Sequence, residues 1–490
     1  MELFRPLNRA AAAHLLALAA TLVACGGGGG GTAAPTPVPN ASPLAVAGPD
    51  QSVQQGTTVT LDGQASSDRD GNALSFKWTL SVRPPGSNAQ FASPTSVSTT
   101  FSADVPGTYT ATLVVNDGKV DSVSSTVTVR SRRNYLRTSY ELAQSDLWLS
   151  SADLYSADGS RYTTQNPLLV MQTVQVDIDG DGVEDIFTFD SYSLTAAIPK
   201  TPPSIFINQG SKLTKATWAG AQMRDPHGVK ILVGDFNGDG FPDLFSLVAV
   251  DPPFGAFPDL QDFNNILFGS STGFSKIKEF DEKRGFWYAG ASGDINKDGA
   301  LDIVIFNFHT QSNGVKNQIL WNDGRGNFSF DERGIGDIPG VDQAELVDVN
   351  NDGFLDLVID NVVNGVRTVS VLWGEGKGFS LANTTSFEIA ANRFVGTINF
   401  CDIDGDGVKE IILSGVNDKG IYWLLFYKSS DKGKSFSDQT SKYIDISETT
   451  QRFDHLRVSD IDHNGRLDIF APDRKDNIRW EWNGSKFVKQ

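Results

Sequence analysis

The sequence predicts an all-β protein in which a β-sandwich is followed by a β-propeller of six motif-bearing blades, with residues left over for a seventh. Three observations predict this. Period-two alternation, as in Thr58-Val59-Thr60-Leu61 and Thr108-Tyr109-Thr110-Ala111-Thr112-Leu113-Val114-Val115, marks half-buried strands. One acidic, Gly-containing motif recurs six times, its first residues 58, 59, 54, 54 and 58 positions apart, a step the size of one supersecondary unit. Gly and Pro are frequent, 48 and 21 of 490 residues, as turns between many short strands require.

A chain this long and 39% hydrophobic is expected to form two or three domains. Its 41 Lys+Arg against 59 Asp+Glu give a net charge of −18, which argues against a duplex nucleic-acid binder, because phosphate neutralisation needs a basic surface, and no nucleic-acid partner is expected. Beyond the N-terminus no apolar run approaches the roughly 18 to 20 residues of a membrane-crossing helix.

Residues 1–24 carry Arg5 and Arg9 and then the apolar stretch Ala10 to Val23, the pattern of a secretory signal. They end in Leu22-Val23-Ala24-Cys25, which resembles the bacterial lipobox. The resemblance implies that Cys25 is the lipidated N-terminus of the mature chain and that the membrane is met through this lipid only. Gly26, rather than an acidic residue, follows it. The resemblance therefore implies an outer-membrane lipoprotein of the cell envelope, periplasm-facing or surface-exposed. Residues 25–43 run through Gly26 to Gly31 into a Thr/Ala/Pro stretch, a flexible tether. The second cysteine is Cys401, so no internal disulfide is expected in the mature domains.

Residues 44–130 read as about seven short strands, which suits an Ig-like sandwich. Leu61-Asp62-Gly63, Ser66-Ser67-Asp68, Asp70-Gly71, Trp78, Gly107-Thr108-Tyr109 and Val115-Asn116-Asp117-Gly118 resemble a PKD domain. That resemblance implies a spacer or adhesion module. Trp78 is expected in the core, and Asp68 and Asp70 are expected to form turns rather than to hold a cation.

The six motif copies supply the chemistry. Their ligand-type residues are Asp177, Asp179, Asp181 and Asp185; Asp235, Asn237, Asp239 and Asp243; Asp294, Asn296, Asp298 and Asp302; Asp348, Asn350, Asp352 and Asp356; Asp402, Asp404, Asp406 and Glu410; and Asp460, Asp462, Asn464 and Asp468. Oxygens at positions 1, 3 and 5 can converge when the chain curls, Gly at position 6 takes the sharp turn, and the acid at position 9 completes an oxygen shell. A hard cation such as calcium fits this set, and the absence of His and Cys argues against zinc or copper. Up to six calcium ions are expected, which would bring the net charge to about −6.

Each copy lies between apolar strands, as in Ile231-Leu232-Val233 before Asp235 and Leu244-Phe245 after Asp243. A second hairpin follows, from Ile205-Phe206-Ile207-Asn208, Ile266-Leu267-Phe268-Gly269, Ile319-Leu320-Trp321-Asn322, Val371-Leu372-Trp373-Gly374, Leu424-Leu425-Phe426-Tyr427 and Ile478-Arg479-Trp480. Small-residue turns with an aromatic come next, as at Gly273-Phe274, Gly326-Asn327-Phe328 and Gly378-Phe379. Four strands per repeat make a propeller blade. Over residues 166–490 these units resemble the FG-GAP, or VCBS-type, repeats of integrin α-chain propellers, most closely at Gly290-Ala291-Ser292-Gly293-Asp294. Residues 131–165 form a connector or a degenerate blade, with a hairpin expected near Leu154-Tyr155.

No nucleophile or metalloprotease signature occurs around His227, His309, His455 or His463. The tryptophans of the second hairpins read as blade packing, and the insertion Asp251 to Pro258 as a candidate for recognition. The expected function is a membrane-anchored, calcium-stabilised binding or adhesion protein that presents a propeller face to a protein or glycan ligand. The alternatives are a polysaccharide-active lyase or hydrolase, or a structural subunit of an envelope complex.

Overall fold

Alternation of apolar and polar residues builds the N-terminal strands, and the computed structural model shows where they go. It describes residues 39–84, 86–133, 153–155, 161–163, 170–179, 184–190, 204–208, 213–216, 228–248, 264–270, 273–274, 276–280, 285–308, 314–389, 392–430, 433–445, 447–451, 456–459, 467–471 and 478–490. Cys25, Asp181, His227, His309, His455, Asp460, Asp462, His463, Asn464 and the insertion at 251–258 lie outside these residues.

Four strands, Gln51–Gln54, Ser125–Arg132, Gly107–Asn116 and Ser75–Val82, form one sheet in that order, the first pair parallel. Thr58–Asp62 pairs with Ser98–Ser102 in a second sheet. In Gly107–Asn116 every second residue is buried, so Tyr109, Ala111, Leu113 and Val115 face a core that also holds Val59, Leu61, Trp78, Phe101, Val127 and Val129. The Trp78 ring nitrogen donates to Ser96 O at 3.1 Å. The buried Tyr109 hydroxyl donates to Asp104 Oδ1 at 2.8 Å and accepts the Val105 N–H at 3.0 Å. Asp68 Oδ1 accepts the backbone N–H groups of Asp70 and Asn72 and so folds its turn. Six strands build this sandwich among the described residues, against about seven expected.

Asp153–Tyr155 and Arg161–Thr163 then pair as an isolated two-stranded ladder at the expected hairpin. Six four-stranded antiparallel sheets follow in chain order. They are Val170–Val176, Asp185–Asp190, Ser204–Asn208 and Leu213–Ala216; Gly228–Gly234, Asp243–Val248, Asn265–Phe268 and Lys276–Glu279; and Trp287–Gly293, Asp302–Asn307, Gln318–Asn322 and Phe328–Asp331. The last three are Gln343–Val347, Asp356–Val363, Val366–Leu372 and Thr384–Glu388; Arg393–Cys401, Glu410–Asn417, Tyr422–Ser430 and Ser435–Asp438; and Arg457–Ser459, Asp468–Ala471, Ile478–Trp482 and Phe487–Lys489. In the fifth sheet Glu448–Thr449 adds to the third strand.

Five apolar clusters lie between consecutive sheets. Ala289, Ala291, Val304, Phe306 and Ile319 of the third sheet meet Ala344, Leu346, Leu357, Ile359 and Leu372 of the fourth. The other four clusters repeat this between sheets one and two, two and three, four and five, and five and six. The first strand of each sheet packs against the first strand of the next. The first strand of the third sheet also approaches the second strand of the sheet before it, where a Cβ on Gly290 would lie 2.8 Å from Leu247 Cδ1. Phe379, the aromatic after the Gly378 turn, is buried in the cluster between sheets three and four, and the fourth strand of that sheet begins at Thr384. The hairpin tryptophans Trp423 and Trp480 are buried in the inter-sheet clusters, as expected of packing residues.

Lys230 of the second sheet donates to Glu345 Oε1 at 2.9 Å and Ala344 O at 3.1 Å of the fourth, bypassing the third. No closed ring is detected among the described residues.

At the end of the fourth sheet remote from its loop, Arg367 reaches Asp342 Oδ2 at 2.6 Å and the fully buried Asp360 Oδ2 at 2.5 Å. Removing one partner of a buried pair leaves an uncompensated charge, at a cost of about 3–5 kcal/mol. Arg367→Met is therefore expected to lower unfolding stability by that amount in urea, and Asp360→Asn added to it is expected to recover part of the loss. A change below about 1 kcal/mol for the single variant would show that the pair contributes nothing.

Candidate metal centre

The loops between first and second strands of the second to fifth sheets share one construction. Position 1 carries a carboxylate that gathers backbone N–H groups from within its own loop. Asp235 Oδ1 accepts Gly238 N–H at 2.7 Å and Asp239 N–H at 3.1 Å, and its Oδ2 accepts Gly240 N–H at 2.8 Å. Asp294, Asp348 and Asp402 accept the position 5 and position 6 N–H groups in the same way, at 2.8 to 3.1 Å. Position 5 accepts the N–H of position 7, as Asp352 does from Phe354 at 2.8 Å. The Asn at position 3 of loops two to four accepts the position 5 N–H at 2.9 Å.

Gly at position 6 has φ between +83° and +89° in loops two to five, the left-handed turn the sequence required. Position 4 is also left-handed, occupied by Gly238, Lys297, Asn351 and Gly405. Sequence reasoning passed over this position, although Gly or Asn at three of those four was the available signal.

Position 9 is deeper. Asp185, Asp243, Asp302, Asp356 and Glu410 are 0% exposed. One oxygen of each accepts the N–H of position 2, from Ile178, Phe236, Ile295, Val349 and Ile403, at 2.8 to 3.2 Å. In the first four sheets the other oxygen accepts an N–H at the end of the third strand, from Asn208, Gly269, Asn322 and Gly374, at 2.8 to 3.0 Å. The ninth residue thus clips loop, second strand and third strand together.

Burial pushes the Asp243 carboxyl up to about 8 and those of Asp185, Asp302 and Asp356 up to about 7, against the lowering effect of these backbone hydrogen bonds. Burial raises Asp235 likewise. A carboxyl whose folded value lies above its unfolded value near 4 contributes stability at low pH and loses it as pH rises through the folded value. At neutral pH the ion-free loops therefore bear a charge cost that a bound cation would offset.

The donor set of the first four loops fits a hard cation, being oxygen throughout. In loop one, carboxylate oxygens of Asp177, Asp179 and Asp185 lie within 4.8 Å of one another. In loops two to four the amide nitrogens of Asn237, Asn296 and Asn350 donate to Asp239, Asp298 and Asp352 at 2.8 to 3.1 Å, and the acids of these copies, Asp235, Asp239 and Asp243, Asp294, Asp298 and Asp302, and Asp348, Asp352 and Asp356, are not drawn together within that limit. Loop five gathers Asp402, Asp404 and Glu410 within the same limit, and Asp406 stands beside them. Of loop six the structure describes Asp468, which is buried and receives Arg479 at 3.0 Å.

Residues 42–490 belong to one compact unit. Within it the sandwich meets the loop end of the first two sheets. The Arg132 guanidinium lies 4.5 Å over the Phe241 ring at position 7 of loop two, and Arg133 pairs with Glu184 at position 8 of loop one.

Residues 47–130 match a PKD domain family, and residues 177–246 and 294–359 match the FG-GAP-like repeat. The chain therefore carries a PKD-like domain and FG-GAP-like repeats, and the matched repeats contain motif copies one to four. Among solved structures it is similar to a nucleoside hydrolase-related hypothetical protein from Saccharophagus degradans that is associated with carbohydrate metabolism, at 19% identity over 19% of this chain and 26% of that one, TM-score 0.18. It thus spans about a quarter of that relative's length. It is similar to the PKD domain of KIAA 1837 protein at 31% identity over 20% of this chain and 92% of that one, TM-score 0.17. A quinonprotein alcohol dehydrogenase-like protein from Bacteroides thetaiotaomicron is 11% identical over 89% of this chain and 92% of that one, TM-score 0.36. No curated protein matches.

The clip can be separated from any bound ion. Asp356→Ala strands two buried N–H groups, each costing about 1–3 kcal/mol, so urea unfolding of the repeats in chelator is expected to weaken by about 2–6 kcal/mol, and by more in calcium, where loop four also loses a carboxylate ligand. A loss that appears only in calcium would assign Asp356 to the ion instead.

Proposed function

We propose that the six sheets close into a six-bladed propeller, that calcium holds the acidic loops of the first four, and that the end remote from the loops binds a glycan. The Lys230 to Glu345 pair supports the ring. Stacked sheets lie about 10 Å apart, so in a straight row the second and fourth would be about 20 Å apart, beyond the reach of one lysine and one glutamate. First strands that converge on a common axis bring them together.

The observation that carries the binding end is a line of aromatic and charged side chains across sheets three to five. Phe286 and Phe308 flank the loop-remote ends of the strand pair Trp287 to Asn307, and Tyr288 stacks on Phe286 at 5.8 Å with Phe308 5.8 Å away. Tyr288 and Phe308 are each 37% exposed, and Phe394 is 52% exposed. Between them lie Asp342 and Arg367, the latter 5.6 Å from the Phe394 ring centre; Asp342 raises the Tyr288 hydroxyl after burial does. Asn307 and Asn317 brace the platform from beneath, Asn307 donating to Val315 O at 2.7 Å and Asn317 to Ile335 O at 2.9 Å and Ile338 O at 2.7 Å. Aromatic faces suit the C–H faces of a sugar ring, and the carboxylate and guanidinium suit its hydroxyls.

The FG-GAP-like repeats and the PKD-like domain agree with a β-rich protein of the binding or adhesion type. The Leu22-Val23-Ala24-Cys25 sequence supports a lipid anchor at Cys25 and a place in the cell envelope, the tether and sandwich acting as spacer. No helix among the described residues is long and apolar enough to cross a membrane.

Tyr288→Ala and Phe308→Ala are expected to weaken binding on a glycan array by about 10-fold, an aromatic contact contributing about 0.5–1.5 kcal/mol beyond its buried area, with melting temperatures within about 2 °C of the parent. Unchanged glycan binding, or signals confined to a protein panel, would overturn the glycan reading. Chelation is expected to lower the melting temperature by about 10 °C or more, and added calcium to restore it. An unchanged melting curve in a protein that holds no ion by elemental analysis would remove calcium from the account.

A further inference from the structure

We propose that the fifth loop carries its own cation: the Lys428 ammonium takes the place that calcium takes in loops one to four. Loop five has the fullest carboxylate set of the fully described copies, and on donor chemistry alone it is the strongest candidate for a metal. Its centre is filled from within the chain. Lys428 Nζ lies 2.6 Å from Asp404 Oδ1, 2.9 Å from Asp406 Oδ2 and 2.9 Å from Glu410 Oε1, three of the four acids of the copy. A calcium ion would hold those same oxygens at about 2.3–2.6 Å, so ion and ammonium compete for one hollow and repel each other within it.

The surroundings are built for this. Lys428 follows Tyr427, the partner of Ile411, in the third strand of the fifth sheet. The corresponding residues after Phe206, Leu267, Leu320 and Leu372 are Ile207, Phe268, Trp321 and Trp373, all apolar or aromatic. The ninth position is Glu rather than Asp in this copy alone, and its extra methylene extends the carboxylate toward the ammonium. Glu410 Oε1 also accepts the Tyr443 hydroxyl at 2.8 Å, where the first four loops use a strand N–H. Tyr443 comes from the short helix Thr440–Tyr443, and Lys442 of the same helix donates to Asp404 Oδ2 at 3.0 Å. The Lys428 side chain is 16% exposed, so this charge pairing is shielded from solvent. Loop five is, moreover, outside the segments matched by the repeat family.

The statement about ion number rests on the calcium reading of the other loops; the statement about Lys428 does not. The test uses the full chain. Reductive methylation with formaldehyde and borohydride, read by peptide mass, is expected to spare Lys428 equally in chelator and in saturating calcium, while Lys442 is modified in both. Methylation of Lys428 that appears on adding calcium would overturn the proposal, because the ion would then have displaced it. In chelator, Lys428→Gln is expected to melt about 4 °C or more below the parent, against less than about 1 °C for Lys316→Gln, whose partner Asp337 is exposed. Equal, small shifts would overturn it. Calcium titration is expected to give the same ion count for the parent and for Asp404→Asn, and loss of one ion in the variant would overturn it. A parent that binds no calcium would refute the calcium reading of loops one to four and leave the first two measurements to decide the role of Lys428.

Discussion

In five consecutive sheets a single carboxylate, shut off from solvent, accepts a backbone N–H from the loop before it, and in four of them it accepts another from the strand beyond. The rest of the repeat follows from this contact. A carboxylate can be buried there because backbone donors converge on it, and in loops two to five the left-handed fourth and sixth residues turn further N–H groups onto the first carboxylate of the same loop. The polar loop and the apolar sheet are therefore one unit, and neither half of the sequence motif makes sense without the other. The inter-sheet clusters then stack these units.

The same anion sets a problem of charge. Loops one and five each gather three carboxylates, and in loops one to four burial raises the proton affinity of the ninth-position acid. The chain itself supplies basic side chains at the fifth and sixth copies. Loops one to four present all-oxygen sets, loop five brings Lys428 and Lys442, and Asp468 of loop six receives Arg479. Repeats that look alike in sequence thus differ in how they balance their charge.

Much of this is legible in the sequence because it depends on local pattern. The six motif copies mark where strands one and two of each unit lie, and the recurring Ile-Leu-Phe and Ile-Leu-Trp runs locate the third. Alternation in Gly107–Asn116 names the sandwich core before its partners are known. What stays hidden depends on contacts between distant residues. Lys428 is one basic residue in an apolar strand, and its meaning appears only once the register places it over Glu410. Tyr443 reaches the same site from a helix 33 residues away in sequence. Phe379 reads as the aromatic after a turn, and its place in the seam between two sheets is visible only in the fold. The pair Lys230 to Glu345 spans 115 residues, and no periodicity announces it.

Arg132 and Arg133 give the sandwich its hold on the repeats at the mouths of the first two loops. Tension applied through the sandwich would enter the body there, next to the clips of Asp185 and Asp243, rather than along the sheet edges. A load of that kind pulls against buried carboxylates and the loops they fasten, so resistance to stretching would be set by the few residues that also set the charge. The aromatic platform stands at the other end of the strands and is spared that strain.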